Sequence, residues 1–250
     1  MKTILTFIIC SLFYFIAPAQ DVAAMLKEAN RLEAIPSEKA AFLKFKEVLK
    51  VQPTILSALV KCSELCSRIG KRETDKASRS SYYEAAVIYA TTALNLNATN
   101  AEANAVMAIA MGRQTLEKSG KEKIAAVKDI KKYGDLAVKY DPNNFKGWHI
   151  LGKWFYEVSN LNVFERAAAK VFYGGLPSAS LKESIAAYEK AKALNGTFLL
   201  NYLELAKAYK RNDEKDKAIQ LLKKMPSLPN QTEDDPLIRA EGKKLLEELE

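Results

Sequence analysis

The sequence predicts an all-α chain, a solenoid of about five antiparallel helix pairs with a C-terminal capping helix. Three observations lead there. One spacing of apolar and small residues recurs five times in a fixed order. The 250 residues are 48% hydrophobic with only 10 Gly and 8 Pro, a composition that suits long helices around a sizeable core. No stretch keeps the two-residue alternation of a strand for long enough to suggest a sheet.

The spacing is clearest at Trp148, Leu151, Gly152 and Phe155, which match W-x-x-L-G-x-x-Y with Phe in the Tyr place. That signature opens a tetratricopeptide repeat, and Pro142, six residues earlier, stands where the preceding repeat closes. The same ruler falls on Met25/Glu28/Ala29/Leu32, Leu59/Cys62/Ser63/Cys66, Asn104/Met107/Ala108/Met111 and Tyr202/Leu205/Ala206/Tyr209. Its third place is always small: Ala29, Ser63, Ala108, Gly152, Ala206. Close approach of two antiparallel helices requires this, since a larger side chain there would push the pair apart.

The second helix of each pair should read A-x-x-x-F-x-x-A. Ala41/Phe45/Val48 and Ala218/Leu222/Met225 do so, and Ser184/Tyr188/Ala191 comes close. Ala86/Ala90/Ala93 and Ile130/Gly134/Ala137 miss the aromatic, with Tyr89 and Tyr133 one position early, which predicts a slightly rotated helix in both. The closing positions Pro53, Ala98, Pro142 and Gly196 lie 45, 44 and 54 residues apart, against about 34 for a standard repeat. The excess falls between the helices of repeats 2, 3 and 4, where longer helices and extended loops are both compatible with the charged, Pro-poor composition. The insertion in repeat 4, residues 160–181, is apolar up to a Gly-Gly-Leu-Pro turn at Gly174–Pro177, which must end any helix before it.

The expected organisation is a signal peptide over 1–19, a repeat array over 20–232 and a capping helix over 233–250. The repeats lie near 22–55, 56–100, 101–144, 145–198 and 199–232. Lys2, the apolar run Ile4–Ala17 and Ala17-Pro18-Ala19 form a basic, then apolar, then A-x-A series, predicting cleavage before Gln20 and an exported, periplasmic or secreted protein. Cys62 and Cys66 sit four apart on one helix, too far for a disulfide, in places other repeats fill with apolar side chains, so both read as buried core thiols.

Material for catalysis is scarce. His149 is the only histidine, there is no Gly-rich phosphate loop, and the carboxylates scatter as on solvated helix faces. A non-enzymatic chain with no cofactor and no metal site is expected. Asn97-Ala-Thr99 and Asn195-Gly-Thr197 match the glycosylation sequon but fall at repeat-closing turns, where turn chemistry accounts for them.

From about Tyr82 to Met225 the chain resembles the regulator of microtubule dynamics family of helical repeat proteins. The likeness rests on His149-Ile-Leu-Gly-Lys-Trp-Phe-Tyr-Glu157, on Phe164-Glu-Arg166, on Phe172-Tyr-Gly-Gly-Leu-Pro-Ser-Ala179 and on the helix Glu183–Asn195. The resemblance implies a non-enzymatic adaptor and assigns no binding residue; the export reading sets aside the microtubule association that names the family.

A protein or peptide partner is expected in the groove lined by the first helices. The places flanking the packing residues hold Arg68, Arg113, Lys146, His149, Lys153, Tyr156, Lys207, Lys210 and Arg211, with Glu64, Glu102 and Glu157 diluting them. With a net charge of +8, such a groove would draw a carboxylate or acidic segment by charge-assisted hydrogen bonds. Export argues against nucleic acid. The alternative is a carrier of an apolar ligand such as a lipid chain, motivated by Leu200, Leu203 and the apolar insertion.

Overall fold

The computed structural model describes residues 17–116 and 119–250, and within them every regular element is a helix. The first helices of the five pairs are α1 (Ala17–Ala34), α3 (Leu56–Arg72), α5 (Ala101–Thr115), α7 (Phe145–Ser159) and α10 (Leu199–Arg211). Their partners are α2 (Glu38–Val51), α4 (Lys76–Leu96), α6 (Gly120–Tyr140), α9 (Leu181–Leu194) and α11 (Lys215–Lys224). A short helix, α8 (Val163–Tyr173), occupies the insertion of repeat 4, and α12 (Asp235–Leu249) packs on α10 and α11 at the C-terminal end. The apolar segment before residue 17 lies outside the described residues.

The small third place works as the spacing predicts: Ala29, Ser63, Ala108, Gly152 and Ala206 are all buried. Two pairs add a hydrogen bond at that approach. Ser63 Oγ donates to the Ala86 carbonyl across repeat 2, and Ser184 Oγ donates to the Gly152 carbonyl across repeat 4, both at 2.8 Å. The first place has a second role. Trp148 Nε1 donates to the Pro142 carbonyl (2.9 Å), Tyr202 Oη to Gly196 (2.9 Å) and Asn104 Nδ2 to Ala98 (3.1 Å). Each repeat of this kind thereby ties its first helix to the closing turn of the one before, satisfying a carbonyl of that turn.

The extra length of repeats 2 and 3 goes into helix, since α4 and α6 each run 21 residues. Neither departs from register in the way Tyr89 and Tyr133 suggested. Ala86, Ala90 and Ala93 are fully buried in α4, and Gly134 and Ala137 are buried in α6, so small residues take the inner places and the tyrosines flank them. Asn100 and Asn144 cap α5 and α7 by accepting from the third helical N–H, as Asn-rich closing turns should. The sequon-like Asn97 and Asn195 accept from Thr99 and Thr197 within the turns.

In the insertion, Asn162 and Glu165 form a reciprocal capping box that starts α8. Arg166 donates to the carbonyls of Val158 (3.1 Å), Ser159 (3.2 Å) and Leu161 (3.0 Å), closing the end of α7. Gly174 (φ 70°) and Gly175 (φ 76°) then take the left-handed backbone that ends α8, a conformation costly for residues with a Cβ. Cys62 and Cys66 are free and fully buried, and burial pushes both thiols up, Cys66 to about 12.

Candidate binding groove

Three sets of ion pairs join parts of the chain far apart in sequence, so the array curls until repeats 2 and 4 and the turn before α12 share one inner face. At the N-terminal end, Arg68 contacts Glu33 (3.0 Å), Glu38 (3.1 Å) and, one helical turn back, Glu64 (3.4 Å). Arg72 holds Glu38 (2.6 Å), Glu233 (3.2 Å) and Asp234 (3.2 Å), and Lys71 reaches Asp234 (3.3 Å). Glu38 is fully buried, and its backbone N–H donates to Glu233 Oε1 (2.7 Å) while the Glu233 N–H donates back to Glu38 Oε1 (3.3 Å). The turn 230–235 is itself braced by Asp235, which accepts from the N–H groups of Gln231 (2.6 Å) and Thr232 (2.9 Å).

In the middle, Lys146 of α7 passes α5 to reach Glu64 of α3 (2.8 Å) and also pairs with Glu102 of α5 (3.0 Å). Burial opposes the Lys146 ammonium, but Glu64 and Glu102 outweigh it and hold the group above the ordinary lysine range. Burial likewise opposes the Glu64 carboxylate, and Lys146, Arg68 and Lys61 nevertheless keep it well below the usual range.

At the C-terminal end, Lys153 pairs with Glu157 and Glu204, both at 2.8 Å. Lys207 pairs with Glu204 (2.9 Å) and with Glu241 of α12 (2.8 Å), and Lys210 with Glu248 of α12 (3.0 Å). Arg211 donates to the Tyr156 carbonyl (2.9 Å), and its guanidinium lies 5.1 Å from the Tyr156 ring centroid, with Lys153 Nζ at 5.6 Å from the same ring. His149 is enclosed between the rings of Phe198 (4.9 Å) and Tyr188 (5.4 Å). Asn201 Nδ2 donates to the Tyr188 carbonyl, so Asn201 Oδ1 is the acceptor and His149 Nδ1 carries the proton (2.9 Å). Burial holds the His149 pKa below the ordinary histidine value, leaving a neutral ring.

The nine predicted groove residues thus lie on or beside one face, but it is not a bare basic strip. Eight are engaged by carboxylates, rings, carbonyls or amides of the chain itself, and Arg113 alone shows none of these contacts among the described residues. The compensating acids Glu33, Glu38, Glu204, Glu233 and Asp234 escaped the sequence reading. The i,i+3 and i,i+4 spacings Glu204/Lys207 and Glu64/Arg68 could have flagged two of the pairs, whereas those to Glu38 and Asp234 have no local signature. The apolar-carrier features also resolve differently. Leu203 is 1% exposed in the core beneath α12, and Val163, Phe164 and Val171 of α8 point outward at 78%, 85% and 74% exposure instead of lining a cavity.

The profile of Regulator of microtubule dynamics protein 1-3 matches residues 25–250. This chain belongs to that family. It is 28% identical to Regulator of microtubule dynamics protein 1 of Bos taurus over 193 residues, 74% of this chain and 61% of the bovine protein. With the Caenorhabditis elegans protein of the same name it shares 29% over 159 residues, covering 64% of this chain and 70% of the relative. Among solved structures, a thermophilic TPR protein of Thermus thermophilus superposes with a TM-score of 0.66 at 16% identity, covering 90% of this chain and 98% of that one. That likeness shows the fold, a tetratricopeptide-type helical repeat solenoid.

Family membership overturns the expectation of an exported scaffold, whether peptide-binding or lipid-carrying, because the relatives are named for regulating microtubules, which are intracellular polymers. The A-x-A signal behind the export reading is purely compositional. In the structure the expected cut between Ala19 and Gln20 falls inside α1, whose small residues serve a helix equally well.

Proposed function

We propose that this chain is a non-catalytic, protein-binding member of its family that receives an acidic segment of a partner along the inner face of the array, and that the partner belongs to the microtubule system named in its relatives. One observation carries the reading: the chain's own acidic turn. Glu233 and Asp234 sit against Lys71 and Arg72 through side-chain ion pairs and a reciprocal backbone contact at Glu38. This is the mode by which a partner peptide with paired carboxylates would be held, by charge-assisted bonds from cations and from backbone N–H groups to its carboxylates. The net charge of +8 adds a long-range attraction to an acidic polymer.

Co-sedimentation of the purified chain with polymerised tubulin tests this. The chain should pellet with the polymer at low salt and release as salt rises, because exposed charges are screened within a Debye length of about 10 Å at 0.1 M. A chain that stays in the supernatant at low salt removes the microtubule partner. Pelleting indifferent to salt removes the acidic-segment mode.

A further inference from the structure

Arg113 differs from every other cation on the inner face. It stands in the last turn of α5, one place after Gly112. Arg68, its counterpart in repeat 2, meets three carboxylates, and Arg211, its counterpart in repeat 5, donates to the Tyr156 carbonyl. Arg113 has neither. Its Nε, like that of Arg68, is sealed from solvent without a hydrogen-bond partner, but no carboxylate meets the rest of its guanidinium among the described residues, and burial draws its pKa below the ordinary arginine value. The groups whose fields favour its charge are the buried Tyr83 phenol and then Asp234, which is already held by Lys71 and Arg72. The neutral His149, stacked near Tyr188, also responds to the Arg113 charge. A guanidinium kept partly desolvated with no partner among the described residues is a standing cost to the free protein.

There is also room beside it. A Cβ built on Gly112 would meet nothing within 4 Å, whereas one on Gly152, Gly147 or Gly70 would strike a neighbour at under 3 Å. Gly112 is therefore not required by close helix packing, and the face of α5 next to Arg113 is open.

We propose that Arg113 anchors a carboxylate subsite on the inner face of repeat 3, where an Asp or Glu side chain or C-terminal carboxylate of a partner segment enters over Gly112 and is received by the guanidinium. This rests on the acidic-segment reading above and names the residue that reads the carboxylate. Lys71 and Arg72 cannot do so while Asp234 holds them. The planar fork of Arg suits a bidentate carboxylate, and partial desolvation strengthens the contact.

The test uses the full chain and fluorescein-labelled hexaglutamate, with binding read by anisotropy at low salt. Wild type should bind; Arg113→Met and Gly112→Met should each weaken binding about tenfold or more, the loss expected for one charge-assisted bond. Arg113→Lys should recover part of it. Melting temperature separates a ligand anchor from a structural residue: without peptide, Arg113→Met should melt at or above wild type, because it removes an uncompensated charge. A clear fall in its melting temperature would show that Arg113 serves the fold, and the proposal falls. It falls too if Arg113→Met binds as wild type does, or if wild type does not bind hexaglutamate. In either case tubulin co-sedimentation with Arg113→Met still reports on the acidic-segment reading separately, since retained, salt-sensitive pelleting keeps that reading without this anchor.

Discussion

Two glycines on equivalent first helices should respond to the same substitution in opposite directions. Gly152 in α7 faces Tyr188, a fully buried ring; an added Cβ would lie 2.6 Å from Tyr188 Cδ1 and 2.8 Å from Cγ and Cε1, about 0.8 Å short of ordinary contact at 3.4 Å. The ring has little freedom to retreat, because its backbone carbonyl accepts from Asn201 and its helix is bonded to Gly152 through Ser184. Overpacking of this kind costs about 1–3 kcal/mol. Gly112 in α5 meets nothing within 4 Å, so Ala there should bring only the helix-propensity gain of about 1 kcal/mol. The same gain applies to Gly152→Ala, so the difference between the two variants isolates the packing cost. For a domain of this size each kcal/mol moves the midpoint by about 2–4 °C, so Gly152→Ala should melt about 2–12 °C below Gly112→Ala. Calorimetry or thermal circular dichroism decides it. If Gly152→Ala melts at or above Gly112→Ala, the small place does not set helix approach and the repeat register is wrong.

Three further outcomes follow from the buried groups. Lys146→Met should lower stability by about 3 kcal/mol, the low end for removing one partner of a buried pair because Glu102 is partly exposed, and a chemical denaturation midpoint unchanged from wild type would refute the bridge. Stability should be greatest between about pH 6.5 and 8.5. Below that window the unfolded chain first binds a proton at His149, whose folded pKa is depressed, and the Glu64 contribution then disappears as pH falls through the carboxylate range. Above it the unfolded thiols of Cys62 and Cys66 ionise while the folded ones do not, and the Lys146 contribution is lost at still higher pH. A melting temperature that keeps rising from pH 6.5 to 5 would contradict the neutral, buried His149. Cys62 and Cys66 should resist an aromatic disulfide reagent in the native state and react after denaturation; rapid native labelling would mean that the core of repeat 2 opens readily.

How far the molecule could be read beforehand depended on distance along the chain. The small places at Ala29, Ser63, Ala108, Gly152 and Ala206 are set by contacts within one helix pair, so their spacing is visible in the sequence. The length of α4 and α6 could not be chosen in advance, because charged Pro-free residues suit a helix and a polar loop alike. The inner face was misjudged for a different reason. Glu64 and Lys146 are 82 residues apart, and Glu38 and Glu233 are 195 apart, so nothing local announces that these charges meet. Counting cations per helix therefore offered Lys146 to a partner in the groove, when it is a half-buried tie to Glu64 and Glu102 whose reversal to Glu would place three carboxylates together.

The tie from Lys146 to Glu64 and the clasp between Glu38 and Glu233 change the mechanics of the array. A solenoid whose units touch only their neighbours yields gradually from its ends, each unit lost separately. Here repeat 4 is fastened to repeat 2, and the turn before the last helix is fastened to the second helix, so neither end can fray alone. Tension on the C-terminal helix would be shared between its seat on α10 and α11 and the clasp at Glu38 and Arg72, almost at the other end of the chain. The molecule should respond to load as a closed hoop does, holding as one piece and then opening throughout.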